Sequence, residues 1–288
     1  MNISINDAIR KFPKRKLDAH KGDFGHALVI AGSAGYTGAA YFTSQAAVLS
    51  GAGLVTLAAG RSIYDIMAAK LNEAMVRPFF ETSVFSLSLL AEKELLMFAE
   101  KVSVAAVGPG ISQNKETAHL VRNLISKLNK PIVLDADGIN AVVGHLDLLK
   151  NTKSPITLTP HPGEMSRLTG KDIAEIQNNR KNIALEFARE YNTVLVLKGA
   201  RTVVASPNGD VYENQTGNPG MATGGTGDVL TGMIAGFAAQ GLDLFTASIL
   251  GVYFHGLAGD IAVKEKGVLS LLATDLLNRL PEVLKTLA

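Results

Sequence analysis

The chain has 288 residues, 47% hydrophobic and 19% charged, with 28 Lys+Arg against 26 Asp+Glu for a formal net charge of +2. This supply of apolar residues suits one large α/β domain or two small ones and excludes a disordered chain, while the near-balance of charge leaves no footprint for nucleic acid or an anionic membrane. Cys is absent, which removes disulfides, thiolate nucleophiles and Cys-ligated zinc.

Residues 1–20, with Lys11, Lys14, Arg15 and Lys16, read as a solvated lead-in arm and not as a domain. The first residues lack the basic-then-apolar order of a secretory signal. No stretch of about 20 apolar residues runs without polar or Gly interruption. No membrane span is expected, and the expectation is a soluble cytoplasmic protein.

From there strand and helix patterns alternate. The continuous apolar run 27–32, ended by Gly32, has the look of a buried parallel strand. Similar runs occupy 54–58, 104–107, 131–134, 156–158 and 193–197. Helical spacing covers 38–51, whose many small residues predict close packing on a sheet, then 63–71, 89–101, 116–128 and one long helix at 173–191. Shorter strands at 202–205 and 211–213 flank Ser206-Pro-Asn-Gly-Asp210, a hairpin turn by its Asn-Gly pair. Three helices follow, at 228–240, 245–264 and 274–284. The alternation predicts an α/β fold, a mainly parallel central sheet flanked by helices, with a late antiparallel hairpin. No linker, charge block or repeat divides residues 21–288, which are expected to form a single domain.

The most unusual stretch is Asn218-Pro-Gly-Met-Ala-Thr-Gly-Gly-Thr-Gly-Asp228, running at once into Val229, Leu230, Met233, Ile234 and Phe237. It reads as a Gly-rich loop opening into a buried helix. Glycines let backbone approach a ligand closely, and the first turn of a helix offers free N–H groups and partial positive charge. An acid beside a bound phosphate is odd unless Asp228 handles a proton while the amides of 225–227 hold developing charge; otherwise Asp228 caps the helix.

Other chemically expressive residues fall at predicted strand ends, where open α/β sheets bind ligands. Gly108-Pro-Gly110 follows one strand. Asp135 and Asp137 follow another and fit two roles, oxygen ligands for Mg2+ or a ribose hydroxyl, or caps of a turn into a helix at Ile139. His161, between Pro160 and Pro162, suits ligand contact or proton transfer, or is a turn residue. Lys198 precedes Gly199 and reads as a point charge for phosphate or as a strand-end Lys reaching water. His255, inside an apolar helix, reads as a packed His. The P-loop, the dinucleotide fingerprint and the nucleophile elbow are all missing.

Taken together, the segments resemble the NAD(P)H-hydrate dehydratase family, a carbohydrate-kinase-like branch of the ribokinase-like superfamily. The resemblance rests on residues 218–232 and on His20-Lys-Gly-Asp-Phe-Gly25, Gly32-Ser-Ala-Gly-Tyr-Thr-Gly-Ala-Ala40, Val107-Gly-Pro-Gly110, Leu134-Asp-Ala-Asp-Gly138, Leu158-Thr-Pro-His-Pro-Gly-Glu164 and Leu197-Lys-Gly-Ala-Arg-Thr202. It covers nearly the whole chain after residue 20. Gly-Thr-Gly-Asp alone would indicate only the wider superfamily.

The resemblance implies a ribokinase-like fold and nucleotide-driven dehydration of hydrated NADH and NADPH, with ADP in most bacterial members, ATP in eukaryotic ones, and Mg2+. Lys198, Gly199, Ala200, Arg201, Thr202 and Gly227 would bind the nucleotide. Ala39 or Ala40, with Gly110, His161 and Asp228, would bind the hydrate. Asp228 would act as base beside the Gly225 and Gly227 amides. It further implies a separate epimerase and a homo-oligomer, often a tetramer. The competing expectations are a ribokinase-like vitamin-precursor kinase, which shares Gly-Thr-Gly-Asp but releases a phosphorylated product, and a nucleotide-binding regulator without turnover.

Overall fold

The structure, a computed structural model, describes residues 1–287. The chain begins with α1 (Ile5–Ile9), β1 (His26–Ile30), α2 (Thr37–Leu49), β2 (Leu54–Gly60), α3 (Tyr64–Lys70), β3 (Met75–Phe79) and α4 (Glu92–Ala99). The middle holds β4 (Val104–Val107), α5 (Lys115–Lys127), β5 (Ile132–Leu134), α6 (Asp137–Val142), α7 (Asp147–Asn151), β6 (Ile156–Leu158) and α8 (Pro162–Thr169). Then come α9 (Ile173–Asn178), α10 (Arg180–Glu190), β7 (Val194–Leu197), β8 (Val203–Ala205), β9 (Val211–Glu213), α11 (Thr226–Ala239), α12 (Leu244–Lys266) and α13 (Ala273–Leu284).

The strands form one nine-stranded sheet in the order β3-β2-β1-β4-β5-β6-β7-β8-β9. Strands β1 to β7 pair parallel, and β8 and β9 add an antiparallel end. The sheet is covered on both faces, as a parallel sheet requires. Strand alternation divides the core: Ala27, Val29 and Ala31 face α2, α11, α12 and α13, whereas Leu28 and Ile30 face a layer drawn from α4, α5, α8 and α10. That two-sided burial explains why the strands read as unbroken apolar runs.

Three features differ from the sequence expectation. The edge strand β3 carries Arg77 and Pro78, which hide it from an apolar pattern; Pro is tolerated because an edge leaves one side unpaired. The expected helix 173–191 is two helices, broken where Asn179 takes φ −132°, ψ 34°. The arm is also docked along much of its length. Met1 O and Ile3 N exchange hydrogen bonds with Val211, and Phe12 meets Phe237 edge-on at 5.8 Å. Helix α12 is long and apolar enough to cross a bilayer, yet 72% of its apolar window is buried inside the fold, packed on α11 and α13.

The strand order reverses between β1 and β4, the kind of crevice where open α/β sheets hold ligands. Gly32 N donates to Pro109 O (2.8 Å), Gly108 N to Ile30 O (3.1 Å) and Ser33 Oγ to Gly110 O (2.8 Å). The carboxyl ends of β1, β4, β5, β6 and β7 thus share one rim, and the N-terminus of α11 closes onto it.

Candidate active site

The start of α11 is held from several sides. Asp260, on α12, accepts from Gly217 N (2.8 Å) and Asn218 Nδ2 (3.0 Å), fixing the entry to the Gly-rich loop. Thr226 Oγ1 donates to Met221 O and Thr223 O, both at 3.0 Å. Gly225 precedes the helix at φ +91°, and a Cβ there would meet the Phe42 ring at 2.7 Å. Only Gly satisfies both conditions. No side chain caps α11, so the Asp228 carboxyl is not spent on its own helix and the first-turn amides stay free for a ligand.

Asp228 sits in that first turn, half-buried. Burial, reinforced by the negative charges of Asp135 and Asp137 and opposed by Lys198, pushes its carboxyl up to about 7. Such a group holds and releases a proton near neutrality.

Lys198 is neither a free phosphate hook nor a Lys snorkelling to water. Its ammonium donates to Asp135 Oδ1 (2.7 Å) and lies 3.8 Å from Glu164 Oε2, with 18% of its side chain exposed. Burial alone pulls its pKa down, but Asp135 and Glu164 outweigh that and hold it above the ordinary lysine value. The ammonium lies 3.5 Å from where a Cβ on Gly227 would stand, so Lys198 and the opening turn of α11 share one side of the cleft.

Asp135 is the hub beneath them. It is 1% exposed and accepts from Lys198, from Thr159 Oγ1 (2.7 Å) and from Thr231 Oγ1 (2.7 Å), tying the ends of β5, β6 and β7 to α11. Asp137 is a bracket: its carboxylate accepts from Ser112 N (3.0 Å) and Asn140 Nδ2 (3.2 Å). Both acids therefore have their oxygens engaged by protein donors. Among the described residues no group of three or more His, Asp or Glu is arranged to hold a metal ion. The donor set does not make a protein-held Mg2+ cage; it suits a cation that arrives on nucleotide phosphates, which supply most of its ligands.

His161 opens α8. Its Nδ1 accepts from Gly163 N (3.0 Å) and Glu164 N (3.3 Å), while Glu164 Oε2 accepts from His161 N (2.8 Å). This reciprocal cap fixes the tautomer, leaving Nε2 to carry the proton on the neutral ring. Burial draws the imidazole below its ordinary value, against the pull of Glu164. His255 is a packed residue with a task. Its Nε2 bonds to Thr226 O at 2.8 Å, and burial lowers it to about 4, so it stays neutral.

After β4, Gly110 takes φ +63°, and a Cβ there would lie 2.8 Å from Tyr36 Cβ and 2.9 Å from Ala39 Cβ. Ala39 is half-buried beside Gly110, whereas Ala40 is 0% exposed and packs against Gly32. Gly199 and Ala200 are exposed on the β7–β8 turn, Thr202 Oγ1 closes that turn onto Gly199 O (2.9 Å), and Arg201 pairs outward with Glu213 (3.6 Å). Glu164, Lys198, Asp135 and Asp228 thus form one charged cluster, and Ala39 packs beside Gly110 at the β1 and β4 ends of the rim. The outer end of segment 198–202 stands apart on the surface. The sequence marked Glu164 as a strand-end residue beside His161 without giving it a role, and left Thr159, Thr231 and Asp260 unmarked as working parts. Of those three, Thr231 leaves a trace, a polar residue three positions after Asp228 in an otherwise apolar helix.

A family model described as NAD(P)H-hydrate dehydratase matches residues 27–282. A bifunctional NAD(P)H-hydrate repair enzyme of Moorella thermoacetica is 48% identical over 277 residues, covering 96% of this chain and 52% of the relative. The chain therefore spans about half the length of the first curated relatives it matches. The crystal structure of the ADP/ATP-dependent NAD(P)H-hydrate dehydratase from Bacillus subtilis, co-crystallised with ATP/Mg2+, superposes with a TM-score of 0.84 at 32% identity, covering 99% of this chain and 98% of that one. A ribokinase-like superfamily protein of Enterococcus faecalis superposes at 0.83 with 28% identity, covering 100% and 96% of the two chains. The fold is ribokinase-like, and with this breadth of agreement the chain belongs to the NAD(P)H-hydrate dehydratase family.

Proposed function

We propose that this chain dehydrates the S hydrate of NADH or NADPH at the expense of ADP, yielding the reduced dinucleotide, AMP and phosphate, with ATP able to take the place of ADP and leaving ADP and phosphate. It is an enzyme of the lyase class in this reading, and NAD(P)H is product and not redox partner. The observation that carries it is Asp228, a half-buried carboxyl raised to about 7, at the opening of a helix with uncapped amides and beside Lys198.

The chemistry follows from the leaving group. A hydrated dihydronicotinamide must lose hydroxide, which leaves poorly, whereas phosphate leaves readily. Asp228 takes the proton of the ring hydroxyl as its oxygen bonds to the terminal phosphorus of ADP; the bond from that phosphorus to the bridging oxygen breaks and AMP departs. The amides of Gly225 and Gly227 stabilise charge on the phosphoryl oxygens in flight. Lys198 offsets the charge of the nucleotide phosphates and is already oriented by Asp135, so little ordering is needed when the nucleotide arrives. The ring nitrogen lone pair then expels phosphate and a neighbouring ring carbon gives up a proton to the departing phosphate, restoring the double bond. When bound with the nucleotide, Mg2+ neutralises phosphate charge.

For binding, the β7–β8 turn with Lys198, Gly199, Ala200, Arg201 and Thr202 takes the nucleotide together with Gly227. Ala39, Gly110, His161 and Asp228 take the hydrate, with Nε2–H of His161 as donor. Ala40 acts from behind, since it has no surface to offer. With only the S hydrate as substrate, an epimerase working ahead of this step would recover the other configuration. Cytoplasmic operation, where these dinucleotides are used, completes the reading.

The test is direct. Hydrated NADH is incubated with the protein and Mg2+, with ADP, with ATP or without nucleotide, while absorbance of the reduced nicotinamide is followed. Recovery that depends on nucleotide is expected. Accumulation of a phosphorylated hydrate without recovery would instead make this a kinase, and no reaction with either nucleotide would remove the assignment.

A further inference from the structure

Arg180 is the first residue of α10, where a cation is unfavourable because the helix N-terminus is itself partly positive. Its guanidinium is half-buried and leaves the helix to reach the end of β7. One terminal nitrogen donates to Leu197 O (2.7 Å) and to Lys198 O (3.2 Å); the other donates to Gln177 Oε1 (2.8 Å). Two consecutive carbonyls at the exit of the strand are thus satisfied by one side chain, while Lys198 N donates to Pro160 O (2.8 Å) on the far side of the same peptide. Gly199 makes room for it. At φ +138° this residue has no Cβ, and a Cβ there would lie 3.1 Å from the guanidinium. Nothing in the mechanism above uses Arg180.

We propose that Arg180 is a positioning residue for nucleotide binding, a latch that locks the Leu197-Lys198-Gly199 backbone so that Lys198 and the turn to Thr202 meet the nucleotide in a preset shape. The inference rests on the assignment of segment 198–202 to the nucleotide. Its physical basis is preorganisation. The turn has no regular ladder at Gly199–Arg201, Arg201 itself sits at φ +53°, and a turn left to find this conformation only on binding would weaken the nucleotide complex. Hydrogen bonds from a charged donor are the strong kind and are planar enough here to fix two carbonyls at once.

The experiment uses the full chain with Arg180→Met, Arg180→Lys and Gln177→Ala. Calorimetric binding of ADP is measured alongside KM for ADP, KM for the hydrate and kcat, with thermal melting as the check on folding. Arg180→Met is expected to weaken ADP binding and raise its KM about tenfold, the loss of roughly one charged hydrogen bond. KM for the hydrate should stay within about twofold. Arg180→Lys should recover part of the loss. Gln177→Ala, which removes the partner at the other end of the guanidinium and lies outside the nucleotide turn, should weaken ADP binding in the same direction, and it carries the test if Arg180→Met does not fold.

Unchanged ADP affinity in Arg180→Met, or in Gln177→Ala where Arg180→Met does not fold, overturns the latch, as does an equal rise in both KM values accompanied by a lower melting temperature. If the wild type binds ADP but restores no NADH, the dehydratase reading falls while the binding comparison still decides the latch. If the wild type binds neither ADP nor ATP, both fall.

Discussion

A carboxylate in the first turn of a helix is ordinarily stabilised in its charged form by the free amides around it. Asp228 goes the other way because burial and the negative charge of Asp135 outweigh the nearby ammonium of Lys198, and its carboxyl titrates near 7. Two consequences have opposite signs. A base must be unprotonated, so kcat should fall as pH drops below about 7. In the folded chain this group keeps a proton that the unfolded chain, titrating near 3.8, has already lost. Its contribution to stability is full below the unfolded value and is lost as pH rises through the folded one. Asp228→Asn should therefore reduce turnover by about 10²–10⁴-fold while ADP binding persists. It should also raise the melting temperature at about pH 8 and leave it nearly unchanged at about pH 4. Turnover within about tenfold of wild type would remove Asp228 as the base. The sequence showed Asp228 and Lys198 to be unusual because they follow a Gly-rich and an apolar run, and His161 because it is held between two prolines. It could not show that Asp135 binds Lys198, because the two are 63 residues apart and meet only through strand order. Nor could it show that His161 spends Nδ1 on capping its own helix.

Helix α11 carries Asp228 and must be set with little slack. Its Gly232 and Gly236 face the backbone of α2, where a Cβ would stand 2.2 Å from Thr43 O and 2.7 Å from Ala47 O. The small residues of α2 predicted a close contact, and its partner is this helix as well as the sheet. Gly232→Ala should lower stability by about 1–3 kcal/mol through overpacking, measured by chemical denaturation, and should lower kcat by moving the helix start away from Lys198. A stable, fully active Gly232→Ala protein would show that the α2–α11 contact does not set the site. At this scale, helices with strong spacing and runs buried on both faces were legible. The strand β3 and the break at Asn179 were not, since an edge position excuses Pro78 from the pattern and a one-residue kink leaves the apolar spacing of 173–191 almost intact.

Across the whole molecule, a parallel sheet puts all the carboxyl ends of β1 to β7 on one side, and the chain returns there once more through the Gly-rich loop. Residues scattered from Gly32 to Asp228 thereby line one rim, which is why strand-end residues could be read as a site before any contact was known. The antiparallel β8 and β9 extend the sheet beyond β7 and carry the turn assigned to the nucleotide. In the proposed reaction this rim joins two substrates so that a hydroxyl of one becomes a phosphate ester at the cost of the other. The most direct measurement follows that oxygen. NADH hydrate labelled with oxygen-18 in its ring hydroxyl is turned over with ADP, and the released phosphate is examined by mass spectrometry. Phosphoryl transfer to the hydroxyl predicts one labelled oxygen in each phosphate formed. Label found in water, with unlabelled phosphate, would mean that ADP hydrolysis and dehydration are separate events and would contradict the mechanism.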